Sequence, residues 1–327
     1  MRVSTLAYNS LCAPVDNGAY GDVVSHRDIR LQCPRCRTAI EGLDCLLCGF
    51  RIYIGKGIVH ALPPERSAHF GRFIAEDERI QAGEGRGSQS AEYYLGLPYK
   101  DATGRNGDQW LIRARSFDCL LQKVLGPASD RGMILDLGAG NCWMSFRLTL
   151  LGYRPIAVDL LTNDQDGLAA AEHFQEHLPS PIPRFQAELT RLPFGDGQFD
   201  VVVFNGSFHY SEDYEATLRE ALRCLKSGGR VIISDTPWVS GEECGRQMIA
   251  ERRAAFLDRS GTASDSVKSL EYLTDERLQM LEEKLAIRWV VHTPWYGFKW
   301  AMRPWMAKFR GKGEPSHFRL YVATKHG

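Results

Sequence analysis

Four cysteines stand in two closely spaced pairs, Cys33-Pro-Arg-Cys36 and Cys45-Leu-Leu-Cys48. Each pair can offer two thiolates from one tight turn, and two pairs supply the tetrahedral S4 set that suits zinc. Such a set leaves no open coordination position. Cys33, Cys36, Cys45 and Cys48 would therefore hold a structural Zn2+, with a redox role for either pair as the alternative. The other five cysteines (Cys12, Cys119, Cys142, Cys224 and Cys244) are scattered and read as small buried apolar residues.

A second stretch that could do chemistry is Ile134-Leu-Asp-Leu-Gly138-Ala-Gly140-Asn-Cys-Trp143. A hydrophobic strand runs into glycines, and a helix begins directly after them. Gly138 and Gly140 lack a Cβ, so the turn can be tight and a ligand can approach the backbone. The helix start offers unpaired amides to that ligand. Asp159 ends the next apolar run about twenty residues later, where a carboxylate can accept hydrogen bonds from both hydroxyls of a ribose. Glycine turn, helix start and distant acid together specify an adenosine-like ligand. A dinucleotide fingerprint would need glycine at position 143 for close packing of helix on strand. Trp143 stands there instead, and no Gly-Lys-Ser/Thr follows to make a P-loop.

These residues need a scaffold that alternates strands and helices, and the chain supplies one from Met133 onward. Apolar runs at 133–137, 156–158, 199–204 and 230–234, with a shorter one at 183–186, predict strands. Helical spacing at 110–125, 142–151, 167–176 and 214–225 fills the gaps, the last closed by Gly228-Gly229. Such alternation builds a parallel sheet with right-handed crossovers. A helix at 275–285 and strands at 287–292 and 318–324 predict an antiparallel hairpin at the sheet edge. Pro63-Pro64 marks a boundary, and the polar, glycine-punctuated stretch 83–107 reads as loop. Three parts result: residues 1–64 with the cysteines, 65–128 as linker and helical cap, and 129–327 as the α/β domain.

The ordered motifs over about residues 110–238 resemble the class I S-adenosylmethionine (SAM) methyltransferases of the broad type 11 subgroup. Besides the glycine turn and Asp159 they include Glu188-Leu-Thr-Arg-Leu-Pro-Phe194, Asp196-Gly-Gln-Phe-Asp200, Val201-Val-Val-Phe-Asn205-Gly-Ser-Phe-His209-Tyr210 and Leu225-Lys-Ser-Gly-Gly229. The resemblance implies a Rossmann-like, mostly parallel seven-stranded sheet with an antiparallel edge hairpin. It also implies roles. Asp136 would orient the turn and the methionine end of SAM, lined by Gly138, Ala139, Gly140 and Asn141. Asp159 and Leu160 would hold the ribose and flank the adenine, Glu188 and Leu189 would meet the adenine edge, and Asn205 and Gly206 would face the reacting centre. The family usually has glycine where Cys142 stands and aspartate where Glu188 stands. Asp200 reads as structural. The stretch from Cys48 to Pro63 is similar to the zinc ribbon of the small activator subunit shared by several tRNA and protein methyltransferases, and a 23S rRNA guanine methylase also carries an amino-terminal zinc finger.

Methyl transfer from a sulfonium mainly needs alignment, and a base only where the acceptor must lose a proton. His209 and Tyr210 follow the fourth strand, so His209 either takes that proton or merely lines the pocket. Tyr93, Tyr94 and Arg113 are candidates to close over SAM, Arg113 through a bidentate contact to its carboxylate or else as an ordinary surface arginine. The insertion 293–316 interleaves Trp295, Tyr296, Phe298, Trp300, Trp305 and Phe309 with Lys299, Arg303, Lys308, Arg310 and Lys312. Three readings compete there: a packed cover, an apolar acceptor pocket, or a surface that touches RNA or a membrane.

Forty basic residues balance forty acidic ones, so no global field draws the chain to polyanions. No apolar run is long enough to span a bilayer and the amino end lacks a signal-peptide core, which places the protein in the cytoplasm. The expected function is SAM-dependent methylation of a small or lipid-like metabolite. An rRNA or tRNA base methyltransferase is the enzymatic alternative, and a catalytically silent adaptor docking a partner protein through its ribbon is the third.

Overall fold

The computed structural model describes residues 29–86, 90–126, 132–309 and 313–326. Cys12, with the rest of the amino-terminal extension to residue 28, and Arg310 and Lys312 lie outside these residues.

Strands β5 (Met133–Leu137), β6 (Arg154–Asp159), β7 (Arg184–Gln186), β8 (Phe199–Asn205) and β9 (Leu225–Ser234) pair in parallel in the order β9-β8-β5-β6-β7. Antiparallel β10 (Val290–His292) and β11 (Leu320–Thr324) complete one edge, giving β10-β11-β9-β8-β5-β6-β7. That is the Rossmann-like order expected of a class I methyltransferase. Alternate strand residues feed two cores. Ile134, Ala157, Val201 and Ile232 face helices α3 (Gly107–Cys119) and α4 (Trp143–Leu150) together with a 3-10 segment, Leu168–His177. Leu135, Val158, Val202 and Ile233 face α5 (Tyr214–Cys224) and α7 (Asp275–Leu285). Two-sided burial explains why the parallel strands read as unbroken apolar runs.

The sheet does not stop at seven strands. The ribbon contributes β1 (Leu31–Gln32) paired with β2 (Ala39–Ile40), and a hairpin of β3 (Tyr53–Gly55) and β4 (Ile58–His60). β4 pairs in parallel with β7, making a nine-stranded sheet that ends in β4-β3. Ile40, Phe50, Ile52 and Val59 share one core with Val158, Phe185 and Phe194. The cysteine-bearing segment is thus continuous with the α/β domain through the β4–β7 pairing, and β3 forms the edge of the joint sheet.

Upstream of the sheet, α1 (Pro64–Gly83) occupies the stretch after the proline pair, where no element is predicted. Part of the expected 83–107 loop is a short helix, α2 (Ala91–Gly96), with Tyr93 and Tyr94 buried. α3 continues into a π-type turn, Leu120–Leu125. A further long helix, α6 (Glu242–Ser260), buries only Gly245, which explains why it lacks an amphipathic signature. Among the scattered cysteines Cys142 and Cys224 are fully buried, whereas Cys119 and Cys244 are partly exposed. Among the described residues no helix is long and apolar enough to cross a membrane.

Candidate active site and metal centre

The glycine turn at the end of β5 lies beneath a cavity of about 910 Å3, open solvent at its mouth included. Gly138 has φ 73° and its missing side chain leaves room for Ser207, whose hydroxyl donates to the carbonyl of Leu137. A Cβ at 138 would collide with Ser207. Gly138 and Ala139 donate to the carbonyl of Val158, and Gly140 donates to Asp159 Oδ2 at 2.8 Å. Asn141 Oδ1 accepts from Trp143 N–H at 3.2 Å. The amides of Gly138, Ala139, Gly140 and Trp143 are therefore engaged within the turn, and carboxylates also face the cavity. Cys142 adopts the left-handed conformation at φ 65°, with its side chain fully buried and outside the cavity wall. Cysteine in place of glycine therefore leaves the pocket unnarrowed.

Four acids line the cavity: Asp77, Asp136, Asp159 and Asp166. Asp136 Oδ2 accepts from Ser145 at 2.7 Å, while Oδ1 is buried with no partner among the described residues. Burial pushes Asp136 up to about 7 and Asp159 up to about 6, the latter although Leu161 and Gly140 donate to it. Arg86 and Arg113 supply the balancing charge, Arg113 held over the Trp110 ring at 4.8 Å. An acid-rich pocket with an orphaned carboxylate oxygen fits a ligand with cationic groups and one carboxylate, which is the charge pattern of SAM.

The four cysteine sulfurs lie within 4.8 Å of one another. Two of the contacts, Cys36–Cys45 at 3.4 Å and Cys33–Cys48 at 3.5 Å, join opposite knuckles. Zinc–sulfur bonds of about 2.3 Å put tetrahedral sulfurs roughly 3.8 Å apart, so the set fits the ion. The knuckles repeat one another. Cys33 and Cys45 carbonyls accept from Arg37 and Gly49, both left-handed (φ 67° and 70°). Arg37 takes the position that glycine fills in the second knuckle because its guanidinium is anchored on buried Glu220 at 2.6 Å and on the carbonyl of Thr190.

Residues 135–233 match the family described as "Methyltransferase domain". The chain is a SAM-dependent methyltransferase. It is similar to demethylmenaquinone methyltransferases of Mycobacterium tuberculosis and Mycobacterium bovis, 25% identical over 178 residues that cover 54% of this chain and 70% of theirs. A sarcosine/dimethylglycine N-methyltransferase of Halorhodospira halochloris is 34% identical over 132 residues, 39% of this chain and 44% of that one. Among solved structures, a SAM-dependent methyltransferase from Thermotoga maritima superposes with a TM-score of 0.44 at 18% identity, covering 79% of this chain and 99% of its own.

In the methyltransferase, Asp136, Gly138, Ala139, Gly140, Asn141, Asp159, Leu160, Leu189, Asn205, Gly206, Arg113 and Tyr210 converge on the cavity wall. Glu188 does not. Its buried carboxylate, expected at the adenine edge, is gripped by Arg66 of α1 at 2.7 Å. His209 does not line the cavity either, whose wall includes Ser207 and Tyr210. The imidazole is buried against Tyr210, and its Nδ1 has no hydrogen-bond partner among the described residues. Tyr93 and Tyr94 pack in the core and do not line the cavity, Tyr94 donating to the carbonyl of Gln165 at 2.7 Å. Asp200 accepts from the Met133 amide at the opposite end of β5, as a structural residue should.

The wall residues that α1 brings from upstream escaped the sequence reading, Phe73, Asp77 and Gln81 on the helix and Arg86 just beyond it, as did Asp166. Their helix holds scattered phenylalanines and isoleucines among charges, and its role depends on distant partners such as Glu188 and Ser266.

Burial, with help from Arg252 and Arg113, drives His209 down to about 3. A depressed histidine is neutral in the fold, so its contribution is complete above its ordinary value of about 6.5 and is lost as pH falls toward 3. Wild-type protein should lose up to about 2 kcal/mol through this group between pH 6.5 and 5. Urea unfolding of wild type and His209→Gln at pH 7 and pH 5 checks this, since the wild-type midpoint should fall further. A gap independent of pH would show that His209 is not held neutral.

Proposed function

We propose that the methyltransferase methylates a small metabolite, with quinol-like and amine acceptors the leading classes. The observation that carries this reading is the roof that α1 lays over the cavity. Phe73, Asp77 and Gln81 face inward from a helix locked by the Arg66–Glu188 ion pair, by Ser266 donating to Glu76 at 2.6 Å, and by the edge contact of Phe73 on Tyr210. A free metabolite can enter beneath such a roof, whereas a base within folded RNA would need it displaced. The names of the relatives, a quinone-type methyltransferase and a methylglycine methyltransferase, support the same size class.

SAM supplies a methyl group on a sulfonium. In this reading Asp159 accepts from both ribose hydroxyls, Leu160 and Leu189 flank the adenine, and Asp136 receives the ammonium through its unpartnered oxygen. Arg113 and Arg86 hold the carboxylate, while Asn205 and Gly206 border the reacting centre. Cys33, Cys36, Cys45 and Cys48 hold structural Zn2+.

Asp77 is our candidate to accept the proton of the acceptor. Burial raises it to about 7, with repulsion from Asp166 and Asp159 adding to the effect. Such a carboxylate is a competent base near neutrality. Asp77→Asn should lower kcat by about 10²–10⁴-fold while SAM affinity stays within a few-fold. The sign of the stability effect is opposite. A raised acid destabilises the fold once ionised, so the ligand-free variant should be more stable by a few kcal/mol at pH 8, the gap closing below pH 4. Equal loss of SAM affinity would reassign Asp77 to cofactor binding.

The acceptor reading is tested by incubating the protein with methyl-tritiated SAM and cell extract, then separating small molecules, lipid extract, RNA and protein. Label in the first two fractions supports it. Label confined to RNA overturns it in favour of the base methyltransferase.

A further inference from the structure

The insertion between β10 and β11 is neither a fully packed cover nor an acceptor pocket. Tyr296 is buried, sharing a hydrogen bond with Ser116 at 2.9 Å, and Trp300 stacks on Phe318 with the Arg303 guanidinium 3.6 Å from its ring centre. These two rings fix the segment to the body. The remaining large side chains point away from it: Trp295 is 59% exposed, Phe298 80%, Trp305 71% and Phe309 87%, with Met302 among them. They lie on α8 (Phe298–Ala301), α9 (Arg303–Phe309) and the turn before them, and none lines the cavity. Single exposed apolar residues are ordinary, but a cluster of this kind marks a contact surface.

We propose that this segment docks the protein on an anionic lipid surface. Charge selects that occupant. Between Thr293 and Phe309 the chain contains Lys299, Arg303 and Lys308 and no acidic residue, within a protein whose charges otherwise cancel. Lys299 and Lys308 are exposed beside the aromatic rings, and among the described residues their one ion pair is the solvent-exposed contact of Lys299 with Asp108. Tryptophan and phenylalanine settle at the boundary between headgroups and acyl chains, and lysine and arginine snorkel to the phosphates above them. Helices of four and seven residues are too short to cross a bilayer, so the contact is peripheral. The exposed methionine and phenylalanines favour an acyl environment over the water and phosphates that surround a nucleic-acid backbone. This inference does not depend on the acceptor proposed above. Docking would none the less restrain the active site as well, because Ser116, on the helix that carries Arg113, holds Tyr296 and also donates to Asp235.

The test uses the full chain with vesicles of phosphatidylcholine alone and of phosphatidylcholine with 30 mol% phosphatidylglycerol (roughly a bacterial anionic load). Flotation and the emission of tryptophan against brominated lipid are the readouts. Binding should favour the anionic vesicles, fall at least tenfold in Trp305→Ser/Phe309→Ser, and fall about fivefold for each of Lys299→Gln and Lys308→Gln. All four side chains are exposed, so the variants should keep the wild-type unfolding temperature. Failure to bind either vesicle overturns the proposal. So does undiminished binding by the aromatic variant, or salt-sensitive capture of a single-stranded RNA in place of vesicles.

Discussion

Asp159→Ala should weaken SAM binding by about 100-fold or more while leaving the protein folded. Each ribose hydroxyl donating to a carboxylate contributes about 1.5–3 kcal/mol, and Asp159 can receive two of them. Two effects on the ligand-free protein oppose one another. Gly140 and Leu161 lose the acceptor for their amides, at 2.8 Å each, but a carboxylate whose burial raises it to about 6 is also removed. The thermal midpoint should therefore move little compared with the affinity. Calorimetric titration with SAM and S-adenosylhomocysteine measures the loss directly, and heat denaturation of the same sample shows whether the turn has survived. An unchanged dissociation constant would mean that the nucleoside lies elsewhere in the cavity.

Stripping the metal should unfold the α/β domain as well as the ribbon. Structural zinc in a four-thiolate site is worth roughly 10–16 kcal/mol, comparable with or above the whole stability of an ordinary domain. Here that energy is shared. The ribbon joins the main sheet through β4 and β7, and its apolar residues fill the same core as Phe185 and Phe194. Cys36→Ser, or prolonged treatment with a strong chelator, should give one unfolding transition at a much lower temperature, with zinc content falling from about one per chain. Cys119→Ser and Cys244→Ser, outside the cluster, should retain both metal and midpoint. Protein isolated without metal, or a midpoint indifferent to Cys36, would return the two pairs to a redox role.

The parts of the fold that could be read from sequence are those whose signals are local. β5, β6 and β8 are apolar runs closed by Gly138, Asp159 and the Asn205-Gly206 turn, and their partners follow from the right-handed crossover rule. Trp143 likewise excluded a dinucleotide by its size, and it sits buried edge-on to Trp110 and Phe117. What escaped was set by distance along the chain. Glu188 occupies its motif position but is claimed by Arg66, 122 residues upstream. His209 lies at the right edge of the sheet, yet one turn of backbone decides that Tyr210 and not the imidazole reaches the cavity. α1 showed no strong stripe because its inner face mixes Phe70, Phe73 and Ile80 with buried Glu76 and Asp77. The two extra strands rest on a three-residue pairing that no propensity could announce.

That pairing also imposes an order in time. His60 meets Gln186 across 126 residues of chain, so at ordinary rates of synthesis β4 leaves the ribosome about 6 to 25 seconds before β7 exists. Throughout that interval the hairpin presents a bare strand edge and half a hydrophobic core to whatever is nearby. Only the cysteine cluster is already complete, since all four sulfurs fall within residues 33–48. Early capture of the ion would hold the nascent ribbon in shape until the sheet arrives, making metal supply during translation a determinant of yield for the entire enzyme.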